Sequence, residues 1–311
     1  MEALDPGVAV LLSTYNGEKY LAEQLDSLLK QSYKNLTVVI RDDGSRDGTL
    51  DVIHSYLERF PDTFHWIESD GQNLGAGGSF SFLMQYVLEH KIELGLEKAY
   101  MMFCDQDDVW IDNKIELEMQ SMLAAEAGNA NTPVLVHSDL KVVSDSRSPT
   151  AGSFMRYQGL EAARNRFGQI LLCNIATGCT VLINEPLAAR SLPVPPEAIM
   201  HDWWLALVAA AFGKMILVDR PLVEYRQHDS NTLGAVEYKL KQRTFLQLLQ
   251  KIPRMKPEPL LNDVSVQAKA FLSRYRSQLN TGQKLRLKFT SAMFVRSGIM
   301  QRIIFRVLRK L

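Results

Sequence analysis

The sequence is poor in cysteine, and it contains no hydrophobic run long enough to cross a membrane. Its 311 residues include three cysteines, Cys104, Cys173 and Cys179, which cannot all pair and lack the spacing of a zinc site. A disulfide scaffold is therefore excluded, and reduced thiols in a cytosolic protein are predicted. The first residues carry acids and no basic cluster, so they do not predict a secretory signal.

Acidic residues are absent after Asp263. Residues 264–311 hold eleven of the 35 Lys and Arg residues, whereas all 35 acidic residues lie in 1–263. The formal net charge of zero therefore hides an acidic body of −11 and a basic tail of +11. This asymmetry predicts different electrostatic partners for the two parts.

The first half of the chain alternates apolar strands with amphipathic helices. In chain order, these elements are predicted at residues 8–12, 17–31, 36–40, 47–57, 64–67, 79–90 and 99–104. The βαβα order predicts an α/β fold with an open, mostly parallel sheet flanked by helices. In such a sheet, ligands bind beyond the carboxyl ends of the strands.

The second half is less regular. Strands are predicted at 133–137, 179–183, 215–218 and 222–225, and an apolar helix is predicted at 202–212. Segment 143–168 is expected to be a loop or a mobile lid. Pro253, Pro257 and Pro259 mark a boundary between the body and the basic tail, because proline interrupts regular elements.

Polar residues follow each predicted strand of the first half. They are Ser13-Thr-Tyr-Asn16, Arg41-Asp-Asp-Gly-Ser45, the loop Asn73-Leu-Gly-Ala-Gly-Gly-Ser79 and Asp105-Gln-Asp-Asp108. Taken alone, Asp-Asp-Gly-Ser is often only a turn. The glycine loop lacks the lysine of a phosphate-binding P-loop and the spacing of a dinucleotide fingerprint. Its backbone N–H groups, placed before a helix, are still suited to receive phosphate.

The acidic cluster at 105–108 carries the most chemical information. Three carboxylates within four positions repel one another unless a cation or hydrogen-bond donors compensate. Asp105 and Asp107 are two residues apart, so they share a face of an extended segment. Carboxylates of this kind bind Mg²⁺ or Mn²⁺. The alternative is that Asp107 or Asp108 caps a helix beginning near Asp112.

Together these motifs resemble the family-2 glycosyltransferases, which have a Rossmann-like GT-A fold. Three later segments fit as well: Ala176-Thr-Gly-Cys-Thr180, His201-Asp-Trp-Trp204 and Tyr225-Arg-Gln-His228. The pattern is similar to the bacterial rhamnosyltransferase branch that builds O-antigens, lipopolysaccharide core and rhamnan polymers. The resemblance spans residues 8 to about 234. It implies a catalytic domain at 1–235 and a helical, basic extension at 236–311.

The resemblance implies a nucleotide-sugar site built from several loops. Ser13 and Tyr15 would line the base pocket, and Asp43 would bond the base imide. Asn73 and Gly75, in the glycine loop, would contact the donor as well.

The resemblance also implies a metal and a sugar pocket. Asp105 would hold the ribose or contact the metal-bound diphosphate, and Asp107 would coordinate Mg²⁺ or Mn²⁺ together with His228. Gly178 and Cys179 would lie close to the donor sugar, where a small residue lets the backbone approach. A purely structural role is the alternative for His228.

Asp202 is the predicted catalytic base, which would take the proton from the acceptor hydroxyl in a single inverting displacement. It follows His201, where the family more often has Glu. Its alternative role is to cap the following helix. Trp203 and Trp204 are expected in the core, with stacking on sugar faces as the alternative.

The expected donor is dTDP-β-L-rhamnose, and the expected acceptor is a lipid-linked saccharide. A UDP-hexose or UDP-N-acetylhexosamine is the alternative donor. A non-catalytic nucleotide-sugar-binding scaffold is the alternative from another class. A nucleotidyltransferase is disfavoured, because residues 13–18 are not a glycine-rich, lysine-containing loop.

The basic tail predicts attachment to an anionic membrane through residues 284–311. On a helical wheel centred on Ile304, one face carries Met300, Val307, Leu308 and Leu311, and the opposite face carries Arg302, Arg306 and Arg309. A basic amphipathic helix suits an anionic lipid surface. The expected location is therefore the inner face of the cytoplasmic membrane. The alternatives are docking on the acidic body and a homodimer contact. Nucleic acid is not an expected partner, because the basic residues lack interleaved aromatics.

Overall fold

A computed structural model describes residues 5–68, 71–228, 258–294 and 297–310. Nine strands form one sheet, in the order β3-β2-β1-β4-β8-β6-β9-β5, with β7 paired to β6. In chain order the strands are β1 Val8–Thr14, β2 Leu36–Asp42, β3 Phe64–Trp66, β4 Tyr100–Cys104, β5 Val109–Trp110, β6 Val134–Ser144, β7 Pro149–Ala151, β8 Val181–Ile183 and β9 Lys214–Gln227.

Helices cover both faces of the sheet. In chain order they are α1 Leu21–Leu29, α2 Thr49–Arg59, α3 Gly75–His90, α4 Lys114–Glu126, α5 Phe154–Gln158, α6 Phe167–Ile170, α7 Glu185–Ser191, α8 His201–Phe212, α9 Pro259–Tyr275, α10 Thr281–Ser291 and α11 Gly298–Lys310. A short 3₁₀ turn, Gly178–Thr180, precedes β8.

The sequence of β1 shows why two cores form. Successive side chains of a strand point to opposite faces. Ala9 and Leu11 accordingly join the core under α3 and α8, whereas Val8, Val10 and Leu12 join the core under α1 and α4. A strand buried on both sides is typical of a sheet with helices on each face.

The α/β fold class is confirmed, and the sheet is mixed. Pairs β1-β2, β1-β4, β2-β3 and β6-β9 are parallel, whereas β4-β8, β5-β9, β6-β7 and β6-β8 are antiparallel. The parallel pairs of the first half follow from helical crossovers. Strand β8 lies between β4 and β6 and runs antiparallel to both, so the mostly parallel arrangement holds only for the first half.

Two local expectations need correction. The two extended segments at 215–218 and 222–225 form one strand, β9, which is paired with β6 through a register shift near Asp139. Segment 143–168, expected as a loop or lid, contains β7 and α5 and the last two residues of β6. Pairing of β7 and β9 with β6 therefore keeps the chain extended where the sequence predicted a loop or a break.

The tail helices pack on the body. The ring of Phe271 in α9 lies 5.3 Å from that of Trp204 in α8. Val264, Ala268 and Leu308 are buried in the same core as α8. Pro253, Pro257 and the predicted boundary between residues 235 and 236 lie outside the described residues. Within those residues, no helix combines the length and the apolar character needed to cross a bilayer.

Candidate active site

The predicted site residues of the first half lie at one edge of the sheet. Parallel strands β1, β2 and β4 end at Thr14, Asp42 and Cys104, and the register aligns Leu12 with both Ile40 and Cys104. Their polar extensions therefore emerge side by side, at the position where ligands of open α/β sheets bind.

Asp43 fixes the glycine loop. Its two carboxylate oxygens accept hydrogen bonds from the backbone N–H groups of Leu74 and Gly75, each at 2.8 Å. Asn73 donates to the Asp43 carbonyl at 3.0 Å, and Arg41 forms a buried ion pair with the carboxylate. Gly75 has φ +66°, a conformation that favours glycine. The structure thus brings Asp43, Asn73 and Gly75 together.

Ser13 and Tyr15 lie on the neighbouring strand end. The Ser13 hydroxyl donates to Ser79 at 2.8 Å, and Tyr15 is 48% exposed. Gln106 bridges Tyr15 to the acidic loop, accepting from its N–H at 2.8 Å and donating to its carbonyl at 3.0 Å. The Gln106 side chain therefore links the segment that follows β1 to the acidic loop that follows β4.

Asp107 and His228 meet at the end of the sheet. The Nε2 atom of His228 lies 2.8 Å from Oδ2 of Asp107, although 121 positions separate the two residues in the chain. Burial raises the pKa of Asp105, and the charges of Asp107 and Asp202 raise it further. Asp105 from the first half of the chain therefore interacts electrostatically with Asp202 from the second half.

Asp108 lies behind this pair. It is fully buried, and its Oδ1 accepts the N–H of Arg226 at 3.1 Å. Its Oδ2 atom has no hydrogen-bond partner among the described residues. Burial, together with the charges of Asp107 and Asp105, raises the pKa of Asp108.

The donor set at this edge fits a divalent cation. One ligand atom from each of Asp105, Asp108 and Cys179 lies within 4.8 Å of the others. Carboxylate oxygens are ligands that suit Mn²⁺ or Mg²⁺. A cation would offset the repulsion among these carboxylates, which the described residues leave incompletely neutralised. Cys179 is buried, and burial raises the pKa of its thiol, which disfavours the thiolate form that binds a metal.

Asp202 opens α8 beside the 3₁₀ turn. Burial raises its pKa to about 7, while hydrogen bonds from the backbone N–H groups of Trp203 and Gly178 lower it in part. A Cβ atom placed on Gly178 would lie 3.6 Å from Oδ2 of Asp202 and 3.2 Å from Nε2 of His201. The absence of a side chain at Gly178 therefore keeps space open in front of the carboxylate.

The residues around Asp202 are buried. Trp203 donates to the Ile170 carbonyl at 2.7 Å, and Trp204 donates to that of Ser191 at 3.1 Å, so both rings belong to the core. His201 packs on Phe80 and Phe103, and burial lowers its pKa to about 3. It is therefore a neutral neighbour of Asp202.

Sequence reasoning did not assign three residues that organise the site: Gln106, Arg226 and Tyr20. Gln106 lies inside the acidic motif, and Arg226 lies two positions before His228, so motif membership was the available signal. For Tyr20, no sequence signal existed, because its contact with His228 joins the start of α1 to the end of β9.

The fold and the site are those of an α/β protein with a carboxylate cluster at the carboxyl edge of its sheet and a nearby carboxylate, Asp202, of raised pKa. The family model for glycosyl transferase family 2 matches residues 9–188, which is more than half of the chain. The chain belongs to this family and is a glycosyltransferase.

A curated relative supports the family assignment, and two solved structures support the fold. The dTDP-rhamnosyl transferase RfbG of Shigella flexneri is 26% identical over 243 residues, which cover 74% of this chain and 76% of the relative. The S. aureus TarS structure with UDP-GlcNAc has a TM-score of 0.58 at 17% identity, covering 93% of this chain and 71% of that one. The mannosyltransferase PcManGT from Pyrobaculum calidifontis, solved with GDP-Man and Mn²⁺, has a TM-score of 0.50 at 16% identity, covering 96% and 85%. The two structures support the GT-A fold.

Proposed function

We propose that this chain is an inverting, metal-dependent glycosyltransferase that moves L-rhamnose from dTDP-β-L-rhamnose to a hydroxyl of a lipid-linked saccharide. The observation that carries the proposal is the convergence of three predicted elements at one sheet edge. The Asp107–His228 pair, Asp105 and the half-buried Asp202 carboxylate share that edge, and Asp105 is influenced electrostatically by Asp107 and Asp202. The similarity to a dTDP-rhamnosyl transferase supports the choice of donor.

The donor is held by the first half of the chain. Ser13 and Tyr15 line the base pocket, and Asp43 bonds the base while it holds the loop of Asn73 and Gly75. Oδ1 of Asp43 accepts both the Leu74 N–H and the Arg41 guanidinium. Oδ2 accepts the Gly75 N–H and can accept a second donor, because a carboxylate oxygen offers about two acceptor positions.

The reaction takes place between the two halves. Asp107 and His228, with Asp105 beside them, would hold a divalent cation, which would supply charge stabilisation for the departing diphosphate. Asp202 accepts the proton of the acceptor hydroxyl. At the same time the acceptor oxygen bonds to the anomeric carbon, and the bond from that carbon to the diphosphate oxygen breaks. Gly178 and Cys179 lie near the donor sugar. Attack opposite the leaving group yields an α-L-rhamnoside.

Titration calorimetry of the full chain tests the donor. We expect binding of dTDP-rhamnose that requires Mn²⁺, and little binding of UDP-glucose, UDP-N-acetylglucosamine or GDP-mannose. Asp107→Asn and His228→Ala should each reduce the Mn²⁺-dependent binding by about tenfold or more, because each removes a ligand or its charge. A matched control is Asp51→Asn, which changes an exposed carboxylate of α2 and should leave binding unchanged.

Other outcomes of this titration are equally informative. Preference for a UDP-sugar would overturn the rhamnosyl assignment and retain the proposed mechanism. Binding without turnover on any saccharide acceptor would favour a non-catalytic scaffold. Metal-independent binding would contradict the role given to Asp107 and His228.

The acceptor is proposed to lie at an anionic membrane, as a growing saccharide of O-antigen, lipopolysaccharide core or rhamnan. The supporting surface is the basic tail, which carries eleven Lys and Arg residues and no acid after Asp263. The face expected from the helical wheel is divided, because Leu308 is only 4% exposed on the body side. Met300 and Val307 of the expected face are 50% and 54% exposed, and the neighbouring Ile303 is 51% exposed.

Replacing Met300, Ile303 and Val307 together with Gln is expected to weaken sedimentation with phosphatidylglycerol vesicles by about tenfold or more. Each buried apolar side chain contributes on the order of 1 kcal/mol to membrane partition. Binding to purely zwitterionic vesicles should be weak for both proteins, since the basic residues supply an electrostatic part of the attraction.

Ile92 provides the control for this surface. It is 84% exposed and lies in the body, so Ile92→Gln should not change vesicle binding. Equal sedimentation of the triple variant and the original chain would assign the tail a structural or homodimer role instead.

A further inference from the structure

The imidazole of His228 packs against Tyr20, which directly precedes α1. The two ring centroids are 4.7 Å apart and the ring planes are inclined by 27°, so the rings are stacked. The edge of the same imidazole meets the Asp107 carboxylate at 2.8 Å. Tyr20 therefore limits the plane in which the His228 ring can lie when Nε2 faces Asp107.

Tyr20 is itself held in place. Its hydroxyl donates to the Asp145 carboxylate and accepts a hydrogen bond from Lys19 at 2.8 Å. The guanidinium of Arg226 lies 4.7 Å from the centroid of the Tyr20 ring, a favourable cation–π distance. The ring thus presents a fixed surface to His228.

Arg226 links this surface to the acidic loop. It is 3% exposed and donates to the Asp107 carbonyl at 3.0 Å, to the Asp145 carbonyl at 2.7 Å and to Glu23 at 2.7 Å. The start of α1, the end of β6, the end of β9 and the loop after β4 are therefore tied together by one side chain.

We propose that Tyr20 is a positioning residue, which orients His228 so that the imidazole and the Asp107 carboxylate can hold a divalent cation together. The inference rests on the metal-dependent function proposed above. Groups that orient metal ligands typically contribute 10- to 100-fold to metal affinity, because the ligand does not lose rotational freedom on binding.

Electron paramagnetic resonance of free Mn²⁺ measures this affinity in the purified full chain, without any sugar or turnover. Tyr20→Ala is expected to weaken Mn²⁺ binding by about tenfold. Tyr20→Phe keeps the stacked ring and loses only hydrogen bonds in an exposed region, so its Mn²⁺ affinity should stay within about twofold. Retained affinity in the Phe variant separates ring stacking from the hydroxyl contacts.

A second Tyr–His stack provides a matched control. Tyr86 lies over His90 at 4.3 Å and 26°, away from the acidic loop. Tyr86→Ala should leave Mn²⁺ affinity unchanged, and thermal unfolding of each variant should show that the fold is retained.

The results separate this inference from the proposed metal site. If Tyr20→Ala binds Mn²⁺ as the original chain does while His228→Ala loses binding, the positioning role is wrong and the metal site stands. If His228→Ala and Asp107→Asn also bind Mn²⁺ normally, the metal site itself is wrong.

Discussion

Asp202→Asn is expected to lower transfer by about 10²- to 10⁴-fold, the range that a positioned general base contributes. Donor binding should remain, because the amide of the variant has the size of the carboxylate that it replaces. Rates with a saccharide acceptor, compared with calorimetric donor affinity, test this prediction. Asp51→Asn again serves as the control carboxylate. Normal turnover of the Asp202→Asn variant would remove Asp202 from the chemistry.

The pH profile provides an independent test of the same residue. The pKa of Asp202 is raised to about 7 by burial, and only the ionised carboxylate can accept a proton. Its ionised fraction falls as the pH drops below 7, so kcat should fall about tenfold per pH unit on the acid side and level off above about pH 8. Of its neighbours, His201 stays neutral, with a pKa of about 3, and Asp105 has a raised pKa.

The Asp202→Asn variant therefore identifies the group that causes the acid limb, the fall in kcat at acid pH. In the residual activity of Asp202→Asn, the limb should disappear if Asp202 causes it. A limb that persists unchanged in the variant would assign it to Asp105 or to another group.

The second large effect is on stability. Lys114 and Glu118 form an ion pair at 3.0 Å in which both side chains are fully buried, and the Lys114 ammonium lies 4.3 Å from the Trp110 ring centroid. Lys114→Met would leave the Glu118 carboxylate without its cationic partner in a low-dielectric interior. We expect the free energy of unfolding to fall by about 3–5 kcal/mol, measured by denaturant titration.

Two further variants make this result specific. The double change Lys114→Met with Glu118→Leu should recover much of the loss, because no buried charge remains. Arg164→Met breaks a partly exposed pair with Glu161 and should cost about 1 kcal/mol or less. Equal losses for Lys114→Met and Arg164→Met would contradict the importance of burial. Because Lys114 begins α4, the first helix after the acidic loop and β5, the pair also anchors this helix.

The sequence predicted the first half of the fold well. The apolar runs of β1, β2 and β4 are buried on both faces, so their pattern reports burial directly, and the polar residues after them mark the strand ends. The mixed second half could not be derived in this way. Residues 215–218 and 222–225 were predicted as separate segments, whereas the register shift beside Asp139 lets β9 continue past Pro221, which cannot donate a backbone hydrogen bond.

The candidate site was accessible from sequence mainly through its motifs. Asp107 and His228 are identified by the family resemblance, and their 2.8 Å contact joins segments that no local pattern connects. The Tyr20 stack and the burial of Leu308 on the body could not be predicted for the same reason. A helical wheel shows which side chains share a face, but only tertiary packing decides that Leu308 faces the body and Val307 does not.

The path from α8 to β9 has a consequence for how such enzymes diversify. Helix α8 leaves the edge of the sheet at Asp202, and the chain turns at Gly213, where a Cβ atom would lie 1.8 Å from the Pro133 carbonyl. Strand β9 then returns to the same edge at His228. The proposed base and the proposed metal ligand are thus encoded in one uninterrupted stretch, whereas the proposed base-pocket residues lie near the amino terminus. A recombination crossover before Asp105 would therefore exchange the proposed base-pocket residues and leave the reacting groups together. A crossover between 107 and 202 would separate His228 from Asp107, which it contacts at 2.8 Å.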